Sequence, residues 1–354
     1  MSPMCDSQTQ QTFSDIGEKR FLQLIQAYLA REDAELIVGV GDDAAVISWE
    51  SARVTVLTVD ALVEGNHFPH RPRVDWFRLG RKSIAANLSD VAAMACLPRY
   101  VLVSLGVPAD LMVSEALDLY RGMHSIASQY GVGIIGGDTV RSPLVMISVT
   151  VVGYKKDSGK LGRRSLCRPN EFVYLSGHVG ASRAGLEILL DPKKGAGLSQ
   201  GALHSLLGKH LDPVPRVELG LALGSILPND FGMIDISDSL FNELSLMASA
   251  SRVGFQICVD AIPRSQELLE YAKLANESAL DYALFSGEEY ELLFTTSLAP
   301  NDLEVALERE GISVPVTAIG RVTPEAGKIE WRDSEGRVLN FSDRTYNHFR
   351  GPHE

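Results

Sequence analysis

The chain has 354 residues, 45% apolar and 22% charged, a globular balance that excludes a largely disordered protein; its length favours two domains over a single core. With 33 basic residues against 45 acidic ones the net charge is −12, and no polybasic block offsets it, which argues against nucleic acid and anionic membranes as partners. Cys5, Cys96, Cys167 and Cys258 lie far apart without a Cys-x-x-Cys pair, so reduced thiols in a cytoplasm are expected and not a disulfide framework or zinc site.

Residues 1–13 read as a polar, disordered tail without the order of a secretory signal, and no apolar run reaches the ~20 residues of a bilayer span. Capping residues from Ser14 precede Phe21, Leu24, Ile25 and Tyr28 at helical spacing. Residues 35–40 read as a strand ending in Gly-Asp-Asp, and 54–59 as a second strand with Asp60 at its end. A helix over 76–96 stops before Pro98; a strand over 100–107, a helix over 114–130 and a short strand over 131–135 follow, the last running into Gly-Gly-Asp. A β-branched strand over 144–154 closes a first domain, 14–154.

The polar stretch 155–170 reads as a connection into a second domain, 155–350. Strands are expected near 172–176, 232–236, 255–259, 291–295 and 317–322, with helices over 182–190, 216–227 and 240–251 and a loop over 191–200. The fold class is mixed α/β (α+β). The turn Gly177-His178-Val179-Gly180 precedes a helix, where free amides could bind phosphate; an ordinary tight turn is the favoured reading.

The informative feature is a set of acids at strand ends and turns: Asp42, Asp43, Asp60, Asp90, Asp138, Asp235 and Asp238. Each alone is weak, because aspartate is common in turns and at helix caps. Their settings are sharper. Thr58 and Asp60 are two apart and share one face of a strand, hydroxyl beside carboxylate. Asp90, in Asn87-Leu88-Ser89-Asp90, interrupts an apolar helix, where a charge is costly unless paired or metal-bound. Gly136-Gly137-Asp138-Thr139 allows close backbone approach to a ligand with an acid at the tip. Many carboxylates with almost no histidine or cysteine nearby point to Mg²⁺ and not to zinc. Neither a Walker sequence nor the protein-kinase motif set is present.

Together these stretches resemble the thiamine-monophosphate kinase family, in the superfamily of aminoimidazole ribonucleotide synthetase and selenophosphate synthetase. The matching segments are Gly-Asp-Asp at 41–43, Thr-Val-Asp at 58–60, Glu-Gly-Asn-His-Phe at 64–68, Asn-Leu-Ser-Asp at 87–90 and Gly-Gly-Asp-Thr at 136–139. They continue with Pro-Val-Pro-Arg at 213–216, Ile-Asp-Ile-Ser-Asp at 234–238, Gly-Glu-Glu-Tyr-Glu-Leu at 287–292 and Tyr-Asn-His-Phe at 346–349. The resemblance implies a two-domain aminoimidazole ribonucleotide synthetase-like fold whose N-terminal domain forms a homodimer. It also implies ATP as co-substrate, thiamine monophosphate as acceptor and Mg²⁺ as the metal. Asp43, Thr58, Asp60, Asp90, Asp235 and Asp238 would then hold Mg²⁺; Gly137, Asp138, Arg164 and Ser237 would meet ATP; His67, Glu288 and Tyr346 would line the acceptor pocket. Asp43, Asp138, Arg164 and Asp238 are the expected catalytic residues.

The chain departs from the family pattern at three places. It has Ser239 where relatives usually have glycine, Glu289 where they usually have aspartate, and Ala181 where they commonly have aspartate. Two rivals stand beside the kinase reading: another ATP-dependent enzyme of the superfamily, and a non-catalytic nucleotide- or thiamine-phosphate-binding relative. Direct in-line phosphoryl transfer is the expected chemistry, because a phosphate-monoester nucleophile is already anionic near neutral pH, with a second pKa of about 6.

Overall fold

The computed structural model describes residues 11–12, 15, 24–25, 36–38, 46–47, 54–155 and 160–344. The chain divides into two units, Met1–Val91 with Leu97–Asp157 and Ala92–Cys96 with Ser158–Glu354, against an expected boundary between 154 and 155. Of the helix expected from Ser14 only residues 15, 24 and 25 are described, all helical, while the Gly-Asp-Asp turn with Asp43, and Tyr346, lie outside the described residues. Within the expected 1–13 tail, Thr12 bridges Met112, and Gln11 accepts the N–H of Val113.

In the first unit, β1 (Leu36–Val38) pairs with β2 (Val46–Ile47). The main sheet has four strands, β3 (Val54–Val63), β4 (Leu97–Val107), β5 (Gly133–Arg141) and β6 (Met146–Lys155), in the order β3-β6-β4-β5. Only β4 and β5 are parallel, as their helical crossover requires. Two helices, α1 (Trp76–Ala93) and α2 (Val113–Gln129), belong to this unit; Ile84, Leu88 and Val91 of α1 and Leu119, Met123 and Ile126 of α2 are buried. Each such side chain contributes about 1.5–3 kcal/mol. The helices cross closely enough that a methyl on Gly80 would strike the Leu119 carbonyl oxygen, and one on Gly122 that of Phe77. The other sheet face leaves Leu57, Val59, Leu102, Val140 and Met146 exposed.

Two strands run past their expected ends. β3 continues to Val63, so Asp60 lies inside it. β5 continues to Arg141, so Gly136, Gly137 and Asp138 lie within a strand and not at a loop tip. The physical reason is at Gly137, where any Cβ would collide with the Val103 carbonyl oxygen of the neighbouring strand. Glycine here admits close strand contact.

The second unit is a seven-stranded sheet with helices. Its elements run β7 (Phe172–Ser176), α3 (Ala181–Leu190), α4 (Gln200–Leu211), α5 (Val217–Ile226), β8 (Met233–Asp235), α6 (Leu240–Ser251), β9 (Gly254–Cys258), α7 (Gln266–Ala275), α8 (Ala279–Phe285), β10 (Leu292–Thr296), α9 (Pro300–Arg309), β11 (Val316–Thr323), β12 (Ile329–Arg332) and β13 (Val338–Leu339). The strand order is β13-β12-β9-β11-β7-β10-β8. One core gathers Leu175, Ile234, Leu244, Phe255, Phe285 and Leu293; another packs Ala184, Ile188, Leu206, Leu268, Tyr271 and Tyr282. The expected 191–200 loop contains a 3₁₀ turn, Pro192–Gly195, and the Ser199 cap of α4, whose hydroxyl accepts the Ala202 N–H. No helix among the described residues is long and apolar enough to cross a membrane.

Candidate active site

Strand β3 and helix α1 build the first group. Thr58 and Asp60 share a strand face, and Asn87 and Asp90, three apart, share a helix face. The Thr58 hydroxyl donates to Asp90 Oδ2 at 2.5 Å, and Asn87 Oδ1 accepts the Asp60 N–H at 3.1 Å. Asn87 is held in turn by donating to the Ser83 carbonyl. Burial first, and then the charge of Asp90, push the Asp60 carboxyl up to about 6. A divalent cation relieves such repulsion, and the donors are all hard oxygens, so the set fits Mg²⁺. No cluster of three or more His, Cys, Asp or Glu suited to a metal occurs among the described residues.

His67 sits in the turn after β3. Its Nδ1 accepts the Val63 N–H at 3.0 Å, which leaves the neutral ring's proton on Nε2. Asp138 is exposed on β5, and it is not brought to the Thr58–Asp60–Asp90 group. It pairs with Ser104, which pairs with Ser148 opposite Ala61, so the register puts it on the face away from Asp60, with β4 and β6 between their strands. Gly137 falls on the Asp60 face of the same sheet, at the β5 edge.

The second unit assembles another group around the turn from β8 into α6. Asp235 ends β8 and is buried; Ser237 and Asp238 follow. The segment after α8 packs onto this turn. The Glu288 N–H donates to the Ser237 carbonyl at 2.7 Å, and those of Glu289 and Tyr290 to Ile236. Beneath it lies Glu243, whose carboxylate accepts the N–H of Asp238 at 3.1 Å and of Ser239 at 2.9 Å. Burial raises Glu243 to about 7 despite those two bonds. Arg164 is exposed, and its guanidinium has no ion pair among the described residues. Its neighbours are engaged, Arg163 with Asp230 and Arg168 with Glu171.

Behind this turn is an ion network that the motifs contained but did not connect. Arg216, from Pro-Val-Pro-Arg, grips Glu291, from Gly-Glu-Glu-Tyr-Glu-Leu, through two bonds of 2.6 Å. Lys209 reaches Glu291 at 2.7 Å, and Ser176 at the end of β7 donates to the same carboxylate at 2.7 Å. Burial opposes the charge of Glu291, but Lys209 and Arg216 outweigh it and hold the carboxyl below its ordinary value. Lys209, His210, Arg216 and Glu291 were not foreseen as site residues, since their pairing is tertiary, and the two motifs signalled only Arg216 and Glu291; Glu243 went unread although its partners Asp238 and Ser239 are local.

Residues 41–154 match the family model for the AIR synthase related protein, N-terminal domain. Over 320 residues the chain is 34% identical to a thiamine-monophosphate kinase of Bacillus subtilis (strain 168), covering 88% of this chain and 94% of that protein. A thiamine-monophosphate kinase of Salmonella typhimurium is also 34% identical, over 91% of this chain and 94% of its own. The chain belongs to the thiamine-monophosphate kinase family. A solved thiamine-monophosphate kinase from Stenotrophomonas maltophilia K279a superposes with a TM-score of 0.76 at 31% identity, over 87% of this chain and 94% of that one. The structure described as AaThiL complexed with AMPPCP and TMP gives 0.72 at 30% identity, over 96% and 99%. Hydrogenase maturation protein HypE in complex with ATP shares the fold alone, at 18% identity and a TM-score of 0.70.

Within the thiamine-monophosphate kinase family, two of this chain's three departures, Ser239 and Glu289, have local explanations; nothing in the structure explains Ala181. Ser239 has φ 176°, extended backbone open to any residue, so a side chain there brings no left-handed strain; its hydroxyl caps α6 by accepting the Asn242 N–H. Glu289 reaches the start of α3, where Oε1 accepts the N–H groups of Gly180 at 2.8 Å and Ser182 at 3.1 Å and the Ser286 hydroxyl at 2.6 Å. The N–H of Gly177 goes to Pro315, that of Val179 to Pro263, and that of Arg183 to the Ser286 hydroxyl. The amides of Gly177, Val179 and Gly180 are therefore spent inside the protein, which favours a tight turn over a phosphate cradle.

Proposed function

We propose that this protein transfers the γ-phosphoryl group of ATP to the phosphate of thiamine monophosphate, giving thiamine diphosphate and ADP. A terminal oxygen of the acceptor phosphate attacks the γ-phosphorus, the bond to the β,γ-bridging oxygen breaks, and ADP carries away the electron pair. The observation that carries this reading is the Thr58–Asp60–Asp90 group in a chain that aligns over about nine-tenths of its length with thiamine-monophosphate kinases.

Thr58, Asp60 and Asp90, with Asp43, Asp235 and Asp238, would hold Mg²⁺, which when bound supplies charge neutralisation for the phosphates. Asp90 fixes the Thr58 hydroxyl, and Glu243 fixes the Ser237–Asp238 backbone, so both groups are preorganised before ligands arrive. Arg164 meets the transferring phosphate, and Ser237 and Gly137 border the nucleotide. Asp138 lies on the other face of its sheet, beside the exposed apolar residues, and takes no part in holding the metal or the nucleotide in this reading. His67, Glu288 and Tyr346 receive the acceptor, with the Nε2–H of His67 as a donor to phosphate. No nucleophilic side chain is required, because the acceptor is anionic already. We place the reaction in the cytoplasm and the protein in a homodimer built on the exposed apolar face of the first unit.

The test is incubation with thiamine monophosphate and ATP, with and without Mg²⁺, followed by chromatography for thiamine diphosphate. Product that requires Mg²⁺ and falls at least a hundredfold in Asp90→Asn is expected. A stable phosphoprotein formed from ATP alone, or no product from well-folded protein, would overturn the reading.

A further inference from the structure

The last turn of helix α4 carries His210, which lies inside the second unit with only 3% of its side chain exposed. Its Nδ1 is 3.4 Å from Glu288 Oε2 and 3.3 Å from the Ser182 hydroxyl. A carboxylate this close favours the tautomer with the proton on Nδ1, in which that N–H can donate to either oxygen. Glu288 is constrained from the other side as well. Its φ of +56° is in the left-handed region that a glutamate rarely adopts, and its N–H is tied to the Ser237 carbonyl. The backbone thus fixes where the side chain starts, and His210 fixes where the carboxylate ends. About a quarter of the Glu288 side chain, 26%, remains open to a ligand.

We propose that His210 is a positioning residue for the acceptor. It holds the Glu288 carboxylate towards the cationic thiazolium and aminopyrimidine end of thiamine monophosphate, since a carboxylate repels the phosphate end. This rests on the reading of Glu288 as an acceptor residue. Loss of the donor lets the carboxylate turn away, weakening the acceptor while leaving ATP untouched.

The experiment measures KM for both substrates, and calorimetric affinity for thiamine monophosphate alone, in wild type, His210→Leu, His210→Asn and Glu288→Gln, each checked by thermal melting. The leucine variant is expected to raise KM for thiamine monophosphate about tenfold, the scale of one lost hydrogen bond to a charged group, with KM for ATP within twofold. Asparagine, whose amide nitrogen stands where Nδ1 did, recovers most of the loss. If the leucine variant fails to fold, His210→Gln carries the same expectation, because its amide lies beyond the Nδ1 position. Unchanged KM for thiamine monophosphate, parallel rises in both KM values, or equal losses in Leu and Asn overturn the proposal. A neutral Glu288→Gln overturns it while the kinase reading stands. A wild-type protein inert towards thiamine monophosphate removes both.

Discussion

Asp60 keeps its proton to higher pH in the folded protein than an unfolded chain would, with a pKa of about 6 against an ordinary 3.8. The unfolded chain therefore ionises first as pH rises, and stability is lost between about pH 4 and 6 and stays lost above. At 1.36 kcal/mol per unit this loss amounts to up to about 3 kcal/mol. Asp60→Asn should accordingly be the more stable protein at pH 7.5 without metal, by 1–3 kcal/mol (an order-of-magnitude range) in urea titrations, and the gap should close by pH 4. Mg²⁺ should reverse the order by stabilising wild type selectively. A gap that does not vary with pH would mean that Asp60 ionises freely. Glu243 titrates in the same direction but is common to both proteins, so the comparison isolates Asp60. At Ser239 the expected effects are small: alanine removes the cap of α6 and costs about 1 kcal/mol, while glycine costs a few tenths. A large gain from glycine in the same titrations would contradict the extended backbone. The Thr58–Asp60 and Asn87–Asp90 pairs were legible because strand parity and helix spacing fix them locally. Lys209 and His210 were not, because their partners are distant in sequence, and Glu243, whose partners Asp238 and Ser239 are near in sequence, went unread as one more acid in the first turns of a helix.

The elements on either side of the ion network depend on it unequally. Glu291 is fully buried at the start of β10, and it ties Arg216 at the head of α5 and Lys209 near the end of α4 to Ser176 at the end of β7. Deleting one partner of a buried pair leaves an uncompensated charge and costs about 3–5 kcal/mol, more than the pair itself contributes. Glu291→Leu should therefore lower unfolding free energy by about that amount, since it takes the carboxylate from both Lys209 and Arg216, whereas Glu291→Leu with Lys209→Met and Arg216→Met should recover much of it; denaturant unfolding of the set decides. Equal losses in the single and triple variants would mean that packing, not charge, governs the site. The same comparison of local and distant forces explains which elements the sequence revealed. Strand β7 and helix α6 have the expected bounds, since each is framed by turn residues. Helix α7 went unread although Ser265 caps it and Leu268, Tyr271 and Ala272 fall at helical spacing, because its apolar stripe is narrow. The end of β5 was read as a turn because two glycines look like one; only the Val103 carbonyl opposite shows why a strand needs them.

At the scale of the molecule, the first unit presents an apolar sheet face with no layer over it among the described residues of that unit. Leu57 is 68% exposed and Val59 60% exposed, with Leu102, Val140 and Met146 beside them. A sheet with one face on helices normally turns polar residues outward, and β3 does not. Burying a valine or leucine contributes about 1.5–3 kcal/mol, so several such residues on each of two copies offer ample driving force for association. The register makes the test selective. Leu57 and Val59 alternate with Thr58 and Asp60, so charges at the first pair point away from the metal-binding face. Leu57→Lys with Val59→Lys should convert a dimer of twice the chain mass into a monomer by light scattering, with the melting temperature of the monomeric unit nearly unchanged, as exposed positions usually allow. Wild type that runs as a monomer at tens of micromolar (roughly the range of ordinary association, Kd about 1 μM or tighter) would rule the dimer out. A double variant that stays dimeric would move the interface to another face.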